Sequence, residues 1–466
     1  MEKKKKNYIT TSAAQELKTG ELLVITIKRI GINGEGVGYY KRKAVFIEGA
    51  LPDEVVKAEV VHIQPNFIRA DLVEIEQESP HRVKPHCSVY DVCGGCQLQH
   101  LDYKEQLRVK EDIIRESFNR YTDKTKINIR PVIGMDDPWG YRNKAQYQVG
   151  FHKGSVQTGL YSTRSHKLVD ISGCPIHHPT INHIIEETKK IVQELRIPIY
   201  DEKNNKGILK TIVVRTGFKS NENQLTLVTA KEQVPKLDQL IDLIRENIPE
   251  VSTIAQNINA EKTSIVFGKK TNILWGRRQI KESLGNVNFS LSPRAFFQLN
   301  PDQTINLYNT VKKAADIRGH EKIVDAYCGT GTISLWLAPY VKEVRGIEEI
   351  PEAINDAKKN AKLSGINNAQ FYVGKSENLL PKWMNQGFRP DVIVVDPPRT
   401  GCDYKLLQAV VRAKTKKFIY VSCNPSTLAK DSSYLLRNGY HLKWIQPVDM
   451  FPNTSQIESV AVFIKK

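Results

Sequence analysis

Residues 323–332 read Ile-Val-Asp-Ala-Tyr-Cys-Gly-Thr-Gly-Thr, and this stretch decides the fold of the C-terminal third of the chain. The first five residues are a short apolar run that predicts a buried strand, and the Gly-x-Gly after them predicts a tight turn. Ile333 begins a run that predicts a helix. A glycine turn between a strand and a helix N-terminus allows a ligand to approach the backbone closely. The stretch therefore predicts a doubly wound, Rossmann-like α/β domain.

Two acidic residues are expected at the same edge of this predicted sheet. Glu348 follows the next strand, 17 residues beyond Gly331, where a carboxylate can accept hydrogen bonds from ribose hydroxyls. A third strand, 391–395, ends in Asp396-Pro-Pro-Arg, and the two prolines stiffen the loop that carries Asp396. The order strand, glycine turn, helix, strand and acid predicts a site for a nucleoside-containing cofactor.

A cysteine and a further carboxylate are expected at this edge as well. Residues 418–422 form another apolar run, and Cys423 follows directly, at the carboxyl end of the predicted strand. Glu458 stands where the last strand begins. A cysteine beside a strand is usually a small buried hydrophobe, and we interpret Cys328 and Cys402 in that way. Cys423 differs because several carboxylates converge with it.

Composition limits the class of protein. The chain has 466 residues and a formal net charge of +17, with a pI near 9.3. This length suits two or three domains, and the basic excess favours a polyanionic partner such as nucleic acid. No apolar run approaches the ~18 residues of a membrane span, and no apolar segment follows the lysine-rich first residues. We therefore expect a cytoplasmic protein with no membrane partner, and a monomer.

The N-terminal region predicts a small β-barrel of the oligonucleotide-binding kind. Apolar and polar residues alternate over 25–28 and over 56–60, within a region that spans residues 17–75. The glycine-rich segment 31–38 predicts a turn region. Short strands with glycine and proline turns and no helical period are typical of such barrels. The pattern alone does not establish RNA binding, since many small barrels bind no nucleic acid.

Four cysteines predict a metal centre in the next region. Cys87, Cys93 and Cys96 surround a Gly-Gly turn, and Cys174 is the fourth. Glycine allows the backbone to curl tightly about a metal, and four thiolates suit either zinc or an iron–sulfur cluster. The spacing differs from the paired C-x2-C of zinc ribbons, so we favour iron–sulfur. Zinc and buried free thiols stay open as alternatives at this point.

Residues 76–280 predict an α+β domain. The pattern indicates helices at 103–121, 181–196 and 233–247, and strands at 208–215, 224–230 and 251–257. Single-stranded RNA binding needs cations for phosphates and aromatic rings for bases. Both interleave between residues 139 and 167, as Trp139, Tyr141, Tyr147, Phe151 and Tyr161 with Arg142, Lys144, Lys153, Arg164 and Lys167. An ordinary sheet with a solvated outer face would show the same pattern.

Taken together, these motifs resemble the S-adenosylmethionine-dependent RNA uracil-5-methyltransferases. The resemblance rests on the turn at 325–331, the loop at 396–399, Ser-Cys-Asn-Pro at 422–425 and Ile-Glu-Ser at 457–459. More narrowly, the chain looks like the 23S ribosomal RNA branch, which carries an N-terminal TRAM domain and a [4Fe-4S] cluster. This implies three domains: a TRAM barrel at 17–75, a central RNA-binding domain with the cluster at 76–280, and a methyltransferase domain at 281–466.

The resemblance also implies roles for individual residues. Cys423 matches the nucleophile and Glu458 the base. The positions that match contacts to S-adenosylmethionine are Gln298, Tyr327, Glu348 and Asp396, and those that match the cluster ligands are Cys87, Cys93, Cys96 and Cys174. Residues 292–300 resemble the segment that closes over the cofactor. Thr332 stands where some relatives have asparagine, which puts one cofactor hydrogen bond in doubt.

The implied function is methylation of C5 of a uridine in 23S ribosomal RNA, and three alternatives stay open. An RNA cytosine-5-methyltransferase typically carries a second cysteine after Asp-x-Pro, whereas Arg399 occupies that position here. A transfer RNA acceptor fits the same motifs. A metal-stapled RNA-binding or assembly protein without activity is the non-enzymatic alternative, although it would have no need for Cys423 and Glu458.

Overall fold

The computed structural model describes residues 17–122, 127–163, 165 and 167–466. Arg164, one of the cations proposed to bind RNA, lies outside the described residues. The chain forms two compact units, the first ending at Val83 and the second running from Lys84 to Lys466. The second unit contains the predicted central domain from residue 84 onward and the whole of the predicted methyltransferase domain, and residues 76–83 belong to the first unit.

The first unit is a six-stranded barrel. Its strands are β1 (Leu22–Thr26), β2 (Arg29–Ile30), β3 (Gly36–Tyr40), β4 (Lys43–Ile47), β5 (Val55–Ile63) and β6 (Phe67–Gln77), in the order β1-β5-β6-β4-β3-β2. Because β1 and β2 follow one another in a single stretch of chain, the two edges of the sheet meet and the sheet closes. The buried side chains of Ile25, Val45 and Val56 lie in its core.

The prediction of a turn over residues 31–38 is wrong at its C-terminal end, since Gly36 and Gly38 lie in β3. Both glycines serve close strand packing. A Cβ at Gly38 would collide with the Ile25 side chain and the Thr26 carbonyl of β1. Sequence reasoning took glycine as a turn residue, whereas tertiary contact required it here.

The second unit begins with α1 (Tyr103–Tyr121) and a seven-stranded sheet. The strands are β7 (Lys144–His152), β8 (Ser155–Tyr161), β9 (Leu168–Asp170), β10 (Leu209–Thr216), β11 (Asn223–Thr229), β12 (Val251–Ile258) and β13 (Lys270–Gly276), in the order β13-β12-β11-β10-β7-β8-β9. Helices α2 (Pro179–Glu194) and α3 (Leu237–Asn247) cover its apolar face. The predicted α+β elements are confirmed, with ends that shift by a few residues.

The C-terminal sheet has the predicted doubly wound topology. A hairpin, β14 (Ile280–Leu284) and β15 (Val287–Leu291), and α4 (Pro301–Ala315) precede it. Its strands are β16 (Lys322–Ala326), β17 (Glu343–Glu348), β18 (Ala369–Val373), β19 (Val392–Val395), β20 (Lys417–Ser422), β21 (Tyr440–Val448) and β22 (Glu458–Lys465). The helices between them are α5 (Thr332–Leu337), α6 (Pro351–Leu363), α7 (Ser376–Asn385), α8 (Tyr404–Ala413) and α9 (Pro425–Arg437).

The order of these strands is β18-β17-β16-β19-β20-β22-β21. Strands β16 to β20 pair in parallel, and β22 is antiparallel to β20. The strand order reverses between β16 and β19, and ligands of open α/β sheets bind at such a switch point. Both faces of the sheet are buried, which explains the continuous apolar runs. No helix of the part of the chain that the structure describes is long and apolar enough to cross a membrane.

Helix α1, which the sequence places in the central domain, packs against the C-terminal sheet. Its Ile114 and Phe118 lie in the same core as the strands of that sheet. A buried ion pair adds to this packing, since Lys110 Nζ lies 2.6 Å from Asp449 Oδ1 and both side chains are fully buried. The Tyr103 hydroxyl donates to Asp449 Oδ2 at 3.0 Å. The chain beyond β21 is thus held by α1.

We expect Lys110→Met to lower the free energy of unfolding by about 3–5 kcal/mol, because it leaves the Asp449 carboxylate buried without its counter-charge. Urea denaturation of the purified protein measures this. The double variant with Asp449→Asn should regain most of the loss. Arg115→Met, which removes an exposed pair on the same helix, is the matched control. If Lys110→Met lowers the free energy of unfolding no more than Arg115→Met does, the buried pair does not make the expected contribution to stability.

Candidate active site

The carboxyl edge of the C-terminal sheet collects the predicted reactive residues. The parallel strands β16, β17, β19 and β20 all end there, and the antiparallel strand β22 begins there. The β20–β22 register pairs Ser422 with Ser459, so Cys423 and Glu458 occupy neighbouring positions of the edge. The residues that reach the edge in this way are Tyr327, Glu348, Asp396, Cys423 and Glu458.

A cavity of about 460 Å³ opens at this edge. Tyr327 and Glu348 line it on one side, and residues 374–377 and 400–404 line it on the other sides. Its volume lies within the ~300–1,000 Å³ typical of small-molecule sites. Two of the four predicted cofactor contacts are therefore together in one cavity. Asp396 and Gln298 are not among the residues that line it.

The backbone around the glycine turn is held in a tight conformation. Tyr327 has a φ of 68°, which is uncommon for a residue with a side chain, and its hydroxyl oxygen accepts the Asp403 N–H at 3.2 Å. The Glu348 carboxylate accepts the Gly329 N–H at 3.2 Å and the Ile350 N–H at 3.0 Å. Gly331 has a φ of 83°, and a Cβ there would lie 2.9 Å from the Phe371 ring. The turn thus requires glycine at this position.

The segment 292–300 lies over this turn. The Thr330 hydroxyl donates to the Phe296 carbonyl at 3.5 Å, and the Asn143 side-chain amide donates to the Gln298 carbonyl at 2.9 Å. Gln298 itself is buried. Two backbone carbonyls of the segment 292–300 therefore hold it beside the glycine turn.

A thiol and two carboxylates interact electrostatically at the other end of the edge. Burial raises the pKa of Asp396, and burial and the neighbouring Asp396 raise the pKa of Glu458, against the lowering effect of Arg399. Burial, then Glu458 and Asp396, raise the pKa of the half-buried Cys423 thiol to about 12, while Arg399 lowers it. In the ligand-free protein at neutral pH, Cys423 is therefore a neutral thiol.

Hydrogen bonds tie the loops that carry these groups. The Asn424 side-chain amide donates to the Arg399 carbonyl at 3.0 Å, and Arg399 Nη2 donates to Gln456 Oε1 at 2.7 Å. Asn424 Oδ1 also accepts the Ser426 N–H at 3.0 Å and so caps α9. The loops after β19 and β20 and the segment before β22 thus hold one another in place around Cys423.

The four predicted metal ligands are neighbours in the fold. Burial raises the pKa of Cys96 to about 12, and the charges of Cys174, Cys93 and Cys87 contribute to that rise. The Gly95 N–H donates to Cys93 Sγ at 3.4 Å. Within the described ranges, however, no group of three or more His, Cys, Asp or Glu side chains is placed to hold a metal ion. The four thiols are close enough to interact, but they do not form a ready-made metal cage.

Some aromatic side chains of the segment 139–167 are buried in the core, and others are exposed at the surface. Tyr141 and Tyr147 are buried, so their rings belong to the protein interior and are not available to bases. Phe151 is 61% exposed and Tyr161 is 40% exposed, and both can stack on a base. The Lys144 ammonium lies over the Phe267 ring. Fewer aromatic residues are therefore available for stacking than the pattern suggested.

Sequence reasoning missed part of the cavity wall because it missed strand β18. Residues 374–377, from Gly374 to Glu377, follow this strand and line the cavity. The signal was present in Phe371-Tyr-Val-Gly374, an apolar run that ends at a glycine. Cys402, interpreted as structural, also lines the cavity, and burial raises the pKa of its thiol far above the usual value.

Comparisons with known proteins show which family the chain resembles. Residues 102–466 match the model of the tRNA (Uracil-5-)-methyltransferase family, and residues 16–73 match the TRAM domain. An RNA methyltransferase of Halalkalibacterium halodurans, described as uncharacterized, is 53% identical over 450 residues, covering 96% of this chain and 97% of that protein. One of Listeria monocytogenes, described likewise, is 48% identical over 449 residues, covering 96% and 98%.

A solved structure is similar over almost the whole chain. It is the tRNA (uracil-54, C5)-methyltransferase of Pyrococcus abyssi in complex with S-adenosyl-L-homocysteine. The TM-score is 0.75 at 26% identity, covering 95% of this chain and 100% of that chain.

We expect the pKa of Cys423 to shift in opposite directions when its two kinds of neighbour are neutralised. Glu458→Gln removes a negative charge and should lower the pKa, whereas Arg399→Gln removes a positive charge and should raise it. The rate of iodoacetamide alkylation against pH, followed by mass spectrometry of the Cys423 peptide, measures both. The Cys402 peptide is the internal control, since other groups raise its pKa. If both variants shift the pKa of Cys423 in the same direction, Glu458 and Arg399 do not act on the thiol with opposite effects.

Proposed function

Because the chain belongs to the tRNA (uracil-5-)-methyltransferase family, we propose that it methylates C5 of a uridine in 23S ribosomal RNA, with Cys423 as nucleophile and Glu458 as base. The protein is an S-adenosylmethionine-dependent RNA methyltransferase of the uracil-5 family. The observation that supports the two roles is the β20–β22 register, which places a thiol and a carboxylate side by side at the edge where the cavity opens.

The nucleophile is needed because C5 of uracil does not attack a methyl donor unaided. The Cys423 thiolate adds to C6, and the electron pair of the C5–C6 double bond moves into an enolate that makes C5 nucleophilic. The raised pKa of Cys423 means that the thiol must lose its proton during the reaction. Arg399 favours the thiolate, and a bound base that screens the two carboxylates would favour it further.

The base is needed to end the reaction. Once C5 carries the methyl group, Glu458 takes the C5 proton, directly or through a water, and the electron pair of the C–H bond restores the double bond. The Cys423–C6 bond breaks and the thiolate leaves. Glu458 suits this step because burial raises its pKa toward the working pH. Within the described residues, Oε2 of Glu458 has no hydrogen-bond partner, so one oxygen is free to accept the proton.

The cavity fits the methyl donor. S-adenosylmethionine supplies an electrophilic methyl group on a sulfonium when it is bound. We propose that Tyr327 and Glu348 hold its nucleoside, since both line the cavity and Glu348 keeps lone pairs for ribose hydroxyls beyond its two backbone bonds. Asp396 and Gln298 are proposed as further contacts, at the adjoining loop and in the covering segment.

The four cysteines are proposed to hold an iron–sulfur cluster of the [4Fe-4S] kind. The donor set suits it, since four soft sulfurs interact electrostatically and backbone N–H groups of residues 95, 176 and 177 donate to two of them. Burial disfavours free thiolates here, and a bound metal would replace the protons. Zinc is the alternative ligand of the same thiols.

The proposed acceptor is 23S ribosomal RNA, because the TRAM domain and the four cysteines together resemble that branch of the family. Transfer RNA is the second candidate, which the similarity to the Pyrococcus abyssi enzyme favours. In either case, the uridine must leave its stack to reach a thiol at a sheet edge. An unstacked loop or a remodelled RNA is therefore the expected substrate.

We expect the purified protein to transfer labelled methyl groups from S-adenosylmethionine to unmodified 23S RNA, and the product to be 5-methyluridine by nucleoside mass spectrometry. Cys423→Ala should reduce the label to background, because no adduct can form. Cys402→Ala, which changes a cysteine that lines the cavity at the same sheet edge, is the matched control and should retain transfer to C5. If only transfer RNA is labelled, the proposed acceptor is wrong, whereas the proposed reaction still holds. Activity in Cys423→Ala would remove Cys423 from its proposed role.

We expect anaerobically purified protein to contain about four iron atoms per chain and to absorb broadly near 400 nm. Cys93→Ser should lose both signals and lower the melting temperature, because the thiols of segments far apart in the chain are no longer joined. Cys328→Ser, which changes a buried cysteine outside this group, should retain the iron. Full iron content in Cys93→Ser, or stoichiometric zinc in the unaltered protein, would refute the proposed cluster.

A further inference from the structure

The position of Glu458 depends on its backbone. The described residues offer no hydrogen-bond partner to its Oε2 atom, although the carboxyl group is buried. Glu458 pairs with Val448 at the base of the hairpin between β21 and β22, and residues 449–457 form the connection. Strand pairing fixes the backbone from Glu458 onward, so whatever holds the connecting segment fixes the approach of the chain to this residue.

The centre of the segment is Asn453, which is buried and has a φ of 68°. Its N–H donates to Gln106 Oε1 at 2.9 Å, and Gln106 Nε2 donates back to Asn453 Oδ1 at 3.2 Å. The Asn453 side-chain amide also donates to the Pro138 carbonyl at 3.0 Å. Asn453 and Gln106 thus form a reciprocal amide pair between the connecting segment and α1.

The same pair holds the chain next to the third cysteine of the proposed cluster. The Asn453 carbonyl accepts the N–H groups of Gln97 at 3.2 Å and Leu98 at 3.0 Å, directly after Cys96. Gln106 Nε2 also donates to the Leu98 carbonyl at 3.0 Å. Every polar atom of the Gln106 side chain is therefore used to join these two stretches.

The far end of the segment reaches the catalytic edge. The Ser455 N–H donates to Gln97 Oε1 at 3.4 Å, and Gln456 Oε1 accepts from Arg399, the cation beside Cys423 and Glu458. Gln97 thus bonds both Asn453 and Ser455, and Gln456, the next residue of the chain, bonds the cation beside the proposed base.

We propose that Gln106 and Asn453 are positioning residues for the methyl-transfer reaction, which hold the segment 449–457 so that Glu458 faces the C5 proton. The inference rests on the proposed function, and it adds a task for the cysteine segment, which braces the segment that carries the base. The residues proposed to hold the methyl donor are others, so the pair is assigned to the last chemical step.

That step has a distinct signature. When the base is displaced, Cys423 still adds to C6 and C5 still takes the methyl group, but removal of the C5 proton is slow. The Cys423–C6 bond then persists, and the enzyme stays covalently attached to methylated RNA. A loss of stability alone would lower the amount of active enzyme without enriching this adduct.

The test compares Asn453→Gly, which suits the positive φ but removes the side-chain bonds, with Gln106→Met, which keeps side-chain length but removes the amide. We expect kcat to fall about ten- to a hundredfold, with KM for S-adenosylmethionine unchanged. The fraction of enzyme attached to RNA on denaturing gels should rise several-fold. Two different substitutions ensure that one folding failure does not decide the result, and melting curves establish that each variant is folded.

Asn368→Ala is the matched control, since the Asn368 amide donates to the Ala338 and Val341 carbonyls at 2.8 Å before β18, at the opposite edge of the sheet. It should lower the melting temperature without enriching the adduct. Glu458→Gln is the reference for a missing base. If Glu458→Gln traps the adduct and neither positioning variant does, the inference about Gln106 and Asn453 is wrong, whereas the proposed function is not affected. If Glu458→Gln traps none, the proposed base is wrong and the inference falls with it.

Discussion

The antiparallel pairing of β22 with β20 is the constraint on which the active site depends. Parallel strands alone bring side chains to one edge only from their carboxyl ends, and here an antiparallel strand begins at that edge. Its first residue is Glu458, and the strand beside it ends one residue before Cys423. A shift of the register by one residue would turn Glu458 to the other face of the sheet. The placement of Glu458 beside Cys423 therefore depends on backbone hydrogen bonds between the two strands.

Placing acids and a thiol at a buried edge makes their protonation states interdependent. Asp396 and Glu458 each raise the pKa of Cys423, and Arg399 is the charge that opposes them. In the ligand-free protein the Cys423 thiol is therefore neutral, and a neutral thiol is a weaker nucleophile than a thiolate. In the proposed mechanism, bound RNA and a positively charged methyl donor would change these charges when the thiolate is needed.

The first half of the second unit supports this edge from outside. Lys110 and Tyr103 of α1 bind Asp449, and Gln106 binds Asn453, so one helix holds the first residue and the middle of the hairpin connection. Burying Lys110 and Asp449 is costly by itself, and the pair is tolerated because each charge has further hydrogen bonds. The central region and the methyltransferase sheet share one interior, since Ile114 and Phe118 of α1 lie in the core of that sheet.

The sequence by itself determined the fold class and the helices and strands of the central region to within a few residues, because apolar runs and glycine turns are local signals. It identified Glu348, Asp396, Cys423 and Glu458 as residues of one edge, since each follows or begins a strand, whereas Tyr327 was identified only by the family resemblance. It could not place β18 beside the cavity, or show that Gly38 packs against β1, because both depend on contacts between distant segments.

Only the tertiary structure decided which aromatic residues are available to RNA, since Tyr147 and Phe151 share one face of β7 and only packing buries the first and exposes the second. The assignment of α1 to the C-terminal core and the amide pair of Gln106 with Asn453 were likewise beyond the sequence. These residues are separated by more than three hundred positions, and no local pattern encodes a hydrogen bond of that range. Local pattern thus specifies the elements, whereas packing selects the partners that hold the reactive groups in place.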